Sequence, residues 1–470
     1  MPRDACGPRP SQELHDLELP RRVSRAALGY HRPPMRDIYA RRVDPERRAF
    51  LRGAACTGGA LAVGLPVLGG CARKPIIRIG YLTSATGIRA SFSESADWNV
   101  ARVRSLLQRG LRIGGRTFPI EIVTRDTQST PSRAAKAGTD LLLHDQVDLL
   151  LADDGDSHYA VGDLCDRIGV PFVSTLIPWE PFLYARQSSA DQGFPWCFAF
   201  SFGAHDVAVN YIAQWNQLAT NRVVGDLYLD RPTGHAFADA KTGVPAELSK
   251  HEYRRIAAGF YPPETEDFSS QIETFKAGDV QILSGLVFPT HFKRLWETAE
   301  REQFRPEVCT VAAAFLFPEG VQALGTRGDG MSTEVWWTPK VPFTSSLTGA
   351  TAQAFADEWE ATTGRQWTQP IGYVHALFEV GLEALKRSGD PRDRAAVRDA
   401  IANLSLDTLV GPVNFRDSPV KSVAVTEMAM GQWRRQPRGR FPFELMITSN
   451  STAPHITPQA EMKLLSQLND

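Results

Sequence analysis

Very little in this sequence of 470 residues marks reactive or polyanion-binding chemistry. Its charges almost cancel, 52 Lys and Arg against 53 Asp and Glu, so no basic field draws it to nucleic acid. It holds six cysteines, with no C-x-x-C pair and no zinc-site spacing. It lacks a G-x-S-x-G elbow, an H-E-x-x-H pair and a Walker loop. Serine hydrolases, zinc proteases and P-loop NTPases therefore lose their usual marks, and neither a cofactor nor a resident metal is expected. The histidines of "DSHYA" and "GAHDVA" stand alone and read as packed or surface residues. "LADDGD" lacks the alternating oxygen spacing of a calcium loop and reads as a turn with a helix cap.

Long apolar runs are also scarce. The longest uncharged one lies within "RRAFLRGAACTGGALAVGLPVLGGCARK" (47–74). A membrane-spanning helix needs about 20 predominantly apolar residues, and this stretch is diluted by glycines, a proline and a threonine. A buried helix would avoid that glycine density, at about 1 kcal/mol each against alanine. A basic segment, a modest apolar core and a small-residue exit describe a secretory signal. Arg47 and Arg48, followed by Phe50 and Leu51, resemble a twin-arginine export signal. Leu68-Gly69-Gly70-Cys71 resembles a lipoprotein cleavage box, in which Cys71 would be lipidated and become the first mature residue. An uncleaved tether is the alternative. Met35 as the start would place the twin arginines about a dozen residues in, the usual depth of such a signal. Processing would leave Cys165, Cys197 and Cys309, either as buried thiols or with one disulfide among them.

Beyond Cys71, apolar strands alternate with amphipathic helices. "IIRIGYL" (76–82), "FPIEIVTRD" (118–126), "VDLLLA" (147–152), "VPFVS" (170–174) and "WCFAFSF" (196–202) read as strands, with helices between them. The pattern restarts with "RVVGDLYL" (222–229), "YRRIAAGF" (253–260), "VQILSGL" (280–286) and "VCTVAA" (308–313). Helices return at 350–362, 370–386 and 391–403, followed by strands at "GPVNF" (411–415), "SVAVTEMAM" (422–430) and "FELMIT" (443–448). This order predicts an α/β protein of two Rossmann-like lobes with parallel sheets, joined by a three-strand hinge. The expected division is a leader over 1–70 and a lipidated tether over 71–75. Lobe 1 follows from 76–200 with 338–410, lobe 2 from 201–337 with 411–450, and a C-terminal tail over 451–470.

Several ordered segments carry a family resemblance: "IRIGYLTSATG", "VDLLLADDGDSHYA", "GVPFVST", "TEDFSSQIETFKAGDVQILSG" and "LDTLVGPVNF". Together they resemble the type I periplasmic substrate-binding proteins of ABC transporters, the leucine/isoleucine/valine-binding group. "STEVWWTP", "WTQPIGYVHALFEV" and "GQWR" resemble a subgroup of undefined ligand. The resemblance implies a monomer that binds a small polar or amphipathic solute, such as a branched-chain amino acid, an amide or a related carboxylate. It implies delivery of that solute to permease subunits of an ABC transporter. With the lipid anchor, the expected location is the periplasm or bacterial cell surface. A sensor uncoupled from transport and a periplasmic hydrolase are the alternatives.

Ligands in open α/β sheets sit beyond the carboxyl ends of the strands. That rule selects Thr86, Phe92, Asp156, Ser157, Ser174, Thr175 and Trp179 from lobe 1, Thr233 and His235 from lobe 2, and Trp336 at a hinge strand. Ser157 falls at a helix N-terminus, where backbone N–H groups suit a carboxylate. Phe288 corresponds, through the resemblance, to an aromatic that covers the ligand. Where the family's amino-acid binders place an acid for the ligand ammonium, this chain has Ala313 or Ala314. Either Glu180, Asp156 or Asp230 substitutes, or the ligand is not an α-amino acid. Glu319 of "FPEG" reads as the start of a short helix instead.

Overall fold

A computed structural model describes residues 76–468, except the side chain of Asp156. The segments read from the sequence as a leader, an export signal and a lipidated tether at Cys71 lie outside them. The described chain begins with β1 (Ile77–Thr83), α1 (Ala96–Leu106), a short hairpin of β2 (Leu111–Ile113) and β3 (Arg116–Phe118), and β4 (Ile120–Asp126). It continues through α2 (Pro131–Thr139), β5 (Leu149–Ala152), α3 (Gly155–Ile168), β6 (Phe172–Ser174), α4 (Trp179–Tyr184) and β7 (Cys197–Ser201). Strands β1, β5, β6 and β7 are almost wholly buried, as parallel strands covered on both faces must be.

The second lobe follows as α5 (Ala204–Trp215), β8 (Val223–Leu229), α6 (Pro232–Phe237), α7 (Val244–Lys250), β9 (Arg254–Tyr261) and α8 (Ser269–Ala277). Then come β10 (Ile282–Leu286), α9 (Pro289–Arg301), β11 (Val308–Ala312), α10 (Pro318–Gln322) and β12 (Ser332–Val335). The chain crosses back to build α11 (Ala352–Thr363), α12 (Pro370–Arg387), α13 (Arg394–Ala402), the hairpin β13 (Ser405–Thr408) and β14 (Gly411–Asn414), and β15 (Val423–Val425). It ends with β16 (Ala429–Arg435) and β17 (Phe443–Ser449) in the second lobe.

Sheet order is β15-β7-β6-β5-β1-β4 in lobe 1, all parallel, and β17-β16-β12-β11-β10-β8-β9 in lobe 2. Only the β16–β17 end of the second sheet is antiparallel. The expected two-lobed α/β architecture is therefore present. Helix α12 is buried on nearly every side, so apolar residues surround it instead of forming one stripe.

Two expected boundaries move. "SVAVTEMAM" is not one strand. Val423–Val425 pairs in parallel with β7, whereas Ala429 begins β16 against β12. The last crossing lies at residues 426–428, and the hairpin at 405–414 packs on α12, so lobe 1 extends past 410 to about 425. An unbroken apolar run is equally compatible with burial in either sheet. Residues 451–468 are not a free tail: Leu465 N–H donates to Glu307 O at 2.8 Å, and Ala453, Ile456 and Met462 are buried. The three expected thiols are buried and form no disulfide.

Candidate functional site

Each sheet has one place where successive connections leave in opposite directions. In lobe 1 the chain goes from β1 to β4 on one side and then to β5 on the other. In lobe 2 it goes from β8 to β9 and then to β10. Such switch points open a crevice at the carboxyl ends of the paired strands. Here the two crevices face one another across a cleft lined by residues of both lobes, the usual setting of a small-molecule site.

From lobe 1 the loop after β1 supplies Arg89 and Phe92, and the turn after β5 supplies Gly155 and, one helical turn on, Tyr159. From lobe 2 the segment after β8 supplies Arg231 and Thr233, that after β10 supplies Phe288, and that after β11 supplies Ala313. Glu334 and Trp336, at the crossing after β12, line the cleft as well.

A buried polar network fixes the first of these loops. Tyr81 OH donates to Asp153 Oδ2 at 2.5 Å, Thr83 Oγ1 at 3.2 Å, and Ser93 Oγ to Oδ1 at 3.4 Å. Ser84 N–H also donates to Ser93 Oγ at 3.0 Å. The short 3-10 turn Ala90–Ser93, which carries Phe92, is thereby tied to β1 and to the end of β5. Burial pushes the Asp153 carboxyl up to about 7, against the pull of these donors. Beside it, Asp154 Oδ2 accepts from Thr127 Oγ1 at 2.6 Å and from Ser157 Oγ at 3.1 Å.

Phe92 also spans the cleft. Its ring stands 4.9 Å from Phe317 and 6.1 Å from Phe288, both edge-on and both from lobe 2, and 6.2 Å from the Trp336 ring. Such ring pairs contribute about 0.5–1.5 kcal/mol each beyond their buried area.

Of the residues expected from the sequence, Phe92, Thr233, Phe288 and Trp336 line this cleft. The others are placed elsewhere. Thr86 is exposed and donates to Asp126 Oδ2 at 2.7 Å. Ser157 is turned to Asp154, and Ser174 and Thr175 donate to the carbonyls of Phe198 and Phe200 at 3.4 and 2.8 Å. Trp179 packs against Tyr184. His235 pairs with the exposed Asp230 at 2.8 Å and lies over Phe260. The Asp156 side chain is outside the described residues.

Glu180, considered as a partner for a ligand ammonium, instead accepts from the N–H groups of Ala204 and His205 at 2.7 and 3.0 Å. It caps the start of α5, and burial pushes its carboxyl up to about 7. Glu319 does open α10. His158 is buried against Phe172 and Phe182, with its pKa well down through burial, and Nε2 lies 2.9 Å from Phe182 O. Ser345 Oγ meets His375 Nε2 at 2.8 Å, but both are buried and neither reaches the cleft.

Sequence reasoning missed Arg89 and Glu334. Arg89 stands in a glycine-containing loop that reads as surface. Glu334 offered a signal: a carboxylate inside the fully buried strand "STEV". Its Oε2 accepts from Thr333 Oγ1 at 2.9 Å and from Tyr211 OH at 3.1 Å, and burial raises its pKa. Ala313, one of the two positions at which the resemblance would place an acid, lines the cleft with a methyl group and takes a left-handed backbone with φ of 66°.

Two parallel sheets with opposed switch points, connected by crossings at 201–204, 335–338 and 425–429, define a two-lobed solute-binding protein. The chain belongs to the periplasmic binding protein family, whose model matches residues 76–439. Its fold is similar to that of the leucine-binding protein LivK from Thermotoga maritima MSB8, at 14% identity over 80% of this chain and 99% of that one, TM-score 0.64. It is similar to an ABC-transporter solute-binding protein from Rhodopseudomonas palustris BisB5 in complex with 3,4-dihydroxybenzoic acid, at 14% identity over 80% and 98%, TM-score 0.65. LivJ from Streptococcus pneumoniae in complex with isoleucine matches at 16% identity over 79% and 100%, TM-score 0.59.

Proposed function

We propose that this protein is the extracytoplasmic solute-binding component of an ABC-type uptake system. In this reading a small amphipathic solute enters the cleft, closes the lobes and is delivered to membrane permease subunits. Export by the twin-arginine route and lipidation at Cys71 would hold the receptor at the membrane, acting as a monomer. The observation that carries the reading is that both switch points contribute to one cleft, so a ligand there touches both lobes. A ligand shifts the open–closed balance only through its differential contacts with the two states, and this cleft offers such contacts. Related proteins with amino-acid and aromatic-acid ligands support the solute class.

The test is small-angle scattering with and without a ligand identified by thermal shift, since binding raises stability by RT ln(1 + [L]/Kd). The expected result is a smaller radius of gyration in the complex. A stoichiometric complex with unchanged dimensions would overturn the hinge-closure reading.

A further inference from the structure

Resting on the cleft as the solute site, we propose that its ligand is a monocarboxylate with an apolar body, its carboxylate held by Arg89 over the first turn of α3. Arg89 is nine-tenths buried. Its backbone is pinned by an N–H bond to Ser129 Oγ at 3.1 Å. Its guanidinium lies 4.8 Å from the Phe92 ring and 5.9 Å from the Phe288 ring, and so stands between the lobes.

Behind Arg89, Asp154 Oδ1 lies 3.4 Å from Nε. The pair holds the side chain in place, yet Nε forms no hydrogen bond. Asp154 already takes Thr127 and Ser157 on its other oxygen. A Cβ built on Gly155 would stand 3.3 Å from Arg89 Nη2. The guanidinium therefore rests against the start of a 14-residue helix, whose positive end adds to its own charge. The planar N–H donors of Arg89 and the positive end of this helix lie side by side at the cleft wall, an arrangement that suits a carboxylate.

Charged groups lining the cleft are few. Among the described residues lining the cleft are two guanidiniums, Arg89 and Arg231, against one carboxyl, Glu334. Glu334 already accepts from Tyr211 and Thr333, and burial favours its neutral form. Arg89 is already paired with Asp154 and Arg231 is only partly buried, so the preference for a carboxylate rests on the guanidinium donors that line the cleft. The methyl walls at Ala313 and Ala312 give a ligand ammonium no partner. Phe92, Phe202, Phe288 and Trp336 supply flat apolar surface for the rest of the molecule.

The test is calorimetric titration of the purified protein with benzoate and 3-phenylpropanoate, their primary amides, and L-phenylalanine. A carboxylate should bind about 10- to 100-fold more tightly than its amide, the range for a charge-assisted hydrogen bond. Arg89→Gln should bring the carboxylate down to the level of the amide. Arg89→Lys should recover part of the difference, and Phe288→Ala should weaken both ligands alike. Equal affinities of acid and amide, tighter binding of L-phenylalanine than of 3-phenylpropanoate, or binding of neither carboxylate would each overturn the proposal. Scattering on the same samples separates the two readings. Compaction by an amide or by L-phenylalanine that binds as tightly as the matching acid refutes the anion anchor and leaves the cleft intact; a tight carboxylate without compaction refutes closure alone.

Discussion

Glu94, two residues beyond Phe92, is a buried carboxyl whose protonation ties stability to pH. Arg365 Nη2 donates to Glu94 Oε2 at 2.5 Å and to Glu319 Oε1 of lobe 2 at 2.8 Å. Burial pushes the Glu94 carboxyl from 4.5 up to about 7; Arg365 and the Thr368 hydroxyl pull it down, and Glu319 pushes it further up. The folded protein therefore retains a proton there that the unfolded chain has lost. Stability from this group is present below about pH 4.5 and is lost as pH rises through about 7. Glu94→Gln fixes the neutral form, so the wild type should lose melting temperature relative to the variant between pH 5 and 8. A difference that stays flat across that range contradicts the assignment.

Gly234 offers a second residue-scale test. Intrinsic propensity favours alanine in a helix by about 1 kcal/mol. A Cβ at Gly234, however, would stand 1.9 Å from the Leu229 carbonyl oxygen, because α6 turns back tightly onto the end of β8. Gly234→Ala should destabilise by about 2 kcal/mol or more, read as a lower urea midpoint without ligand. A gain in stability would show that the backbone yields there.

At the scale of elements, strands and long helices were legible because their periodicity and length are local properties. "VDLLLA" and "VPFVS" read as buried strands before any partner was known, and β5 and β6 occupy them. The β2–β3 hairpin was not legible: three residues a side around Gly114 and Gly115 carry no period. The break in "SVAVTEMAM" was hidden for a different reason, since which sheet a strand joins depends on partners far away in sequence. The site divided in the same manner. Strand-end loops pointed to Phe92 and Thr233, the family resemblance to Phe288 and the hinge strand to Trp336, and all four line the cleft because position follows from topology. Hydroxyls at the same strand ends, Ser174 and Thr175, bond neighbouring carbonyls instead. Arg89 escaped notice because its burial arises from Asp154, Phe92 and Phe288, which the sequence does not place beside it.

For the whole molecule, the proposed anchor makes a prediction independent of the cleft. Cys71→Ser should move the exported protein from the membrane fraction to the soluble periplasmic fraction with ligand affinity unchanged. Retention in the membrane fraction would show that something other than a lipid on Cys71 holds it there. No helix among the described residues is long and apolar enough to cross a membrane.

The short crossing at 426–428 also orders events in time. Strand β15 completes one sheet and β16–β17 complete the other, yet all three are encoded after nearly nine-tenths of the described chain has been made. While the ribosome still holds that stretch, β7 and β12 remain open edges in their respective sheets. Neither lobe can mature before the other during synthesis, as successive independent domains do. If the chain leaves the cytoplasm folded, translocation must wait for residues 423–449, and a truncation before them leaves two incomplete sheets instead of one finished lobe.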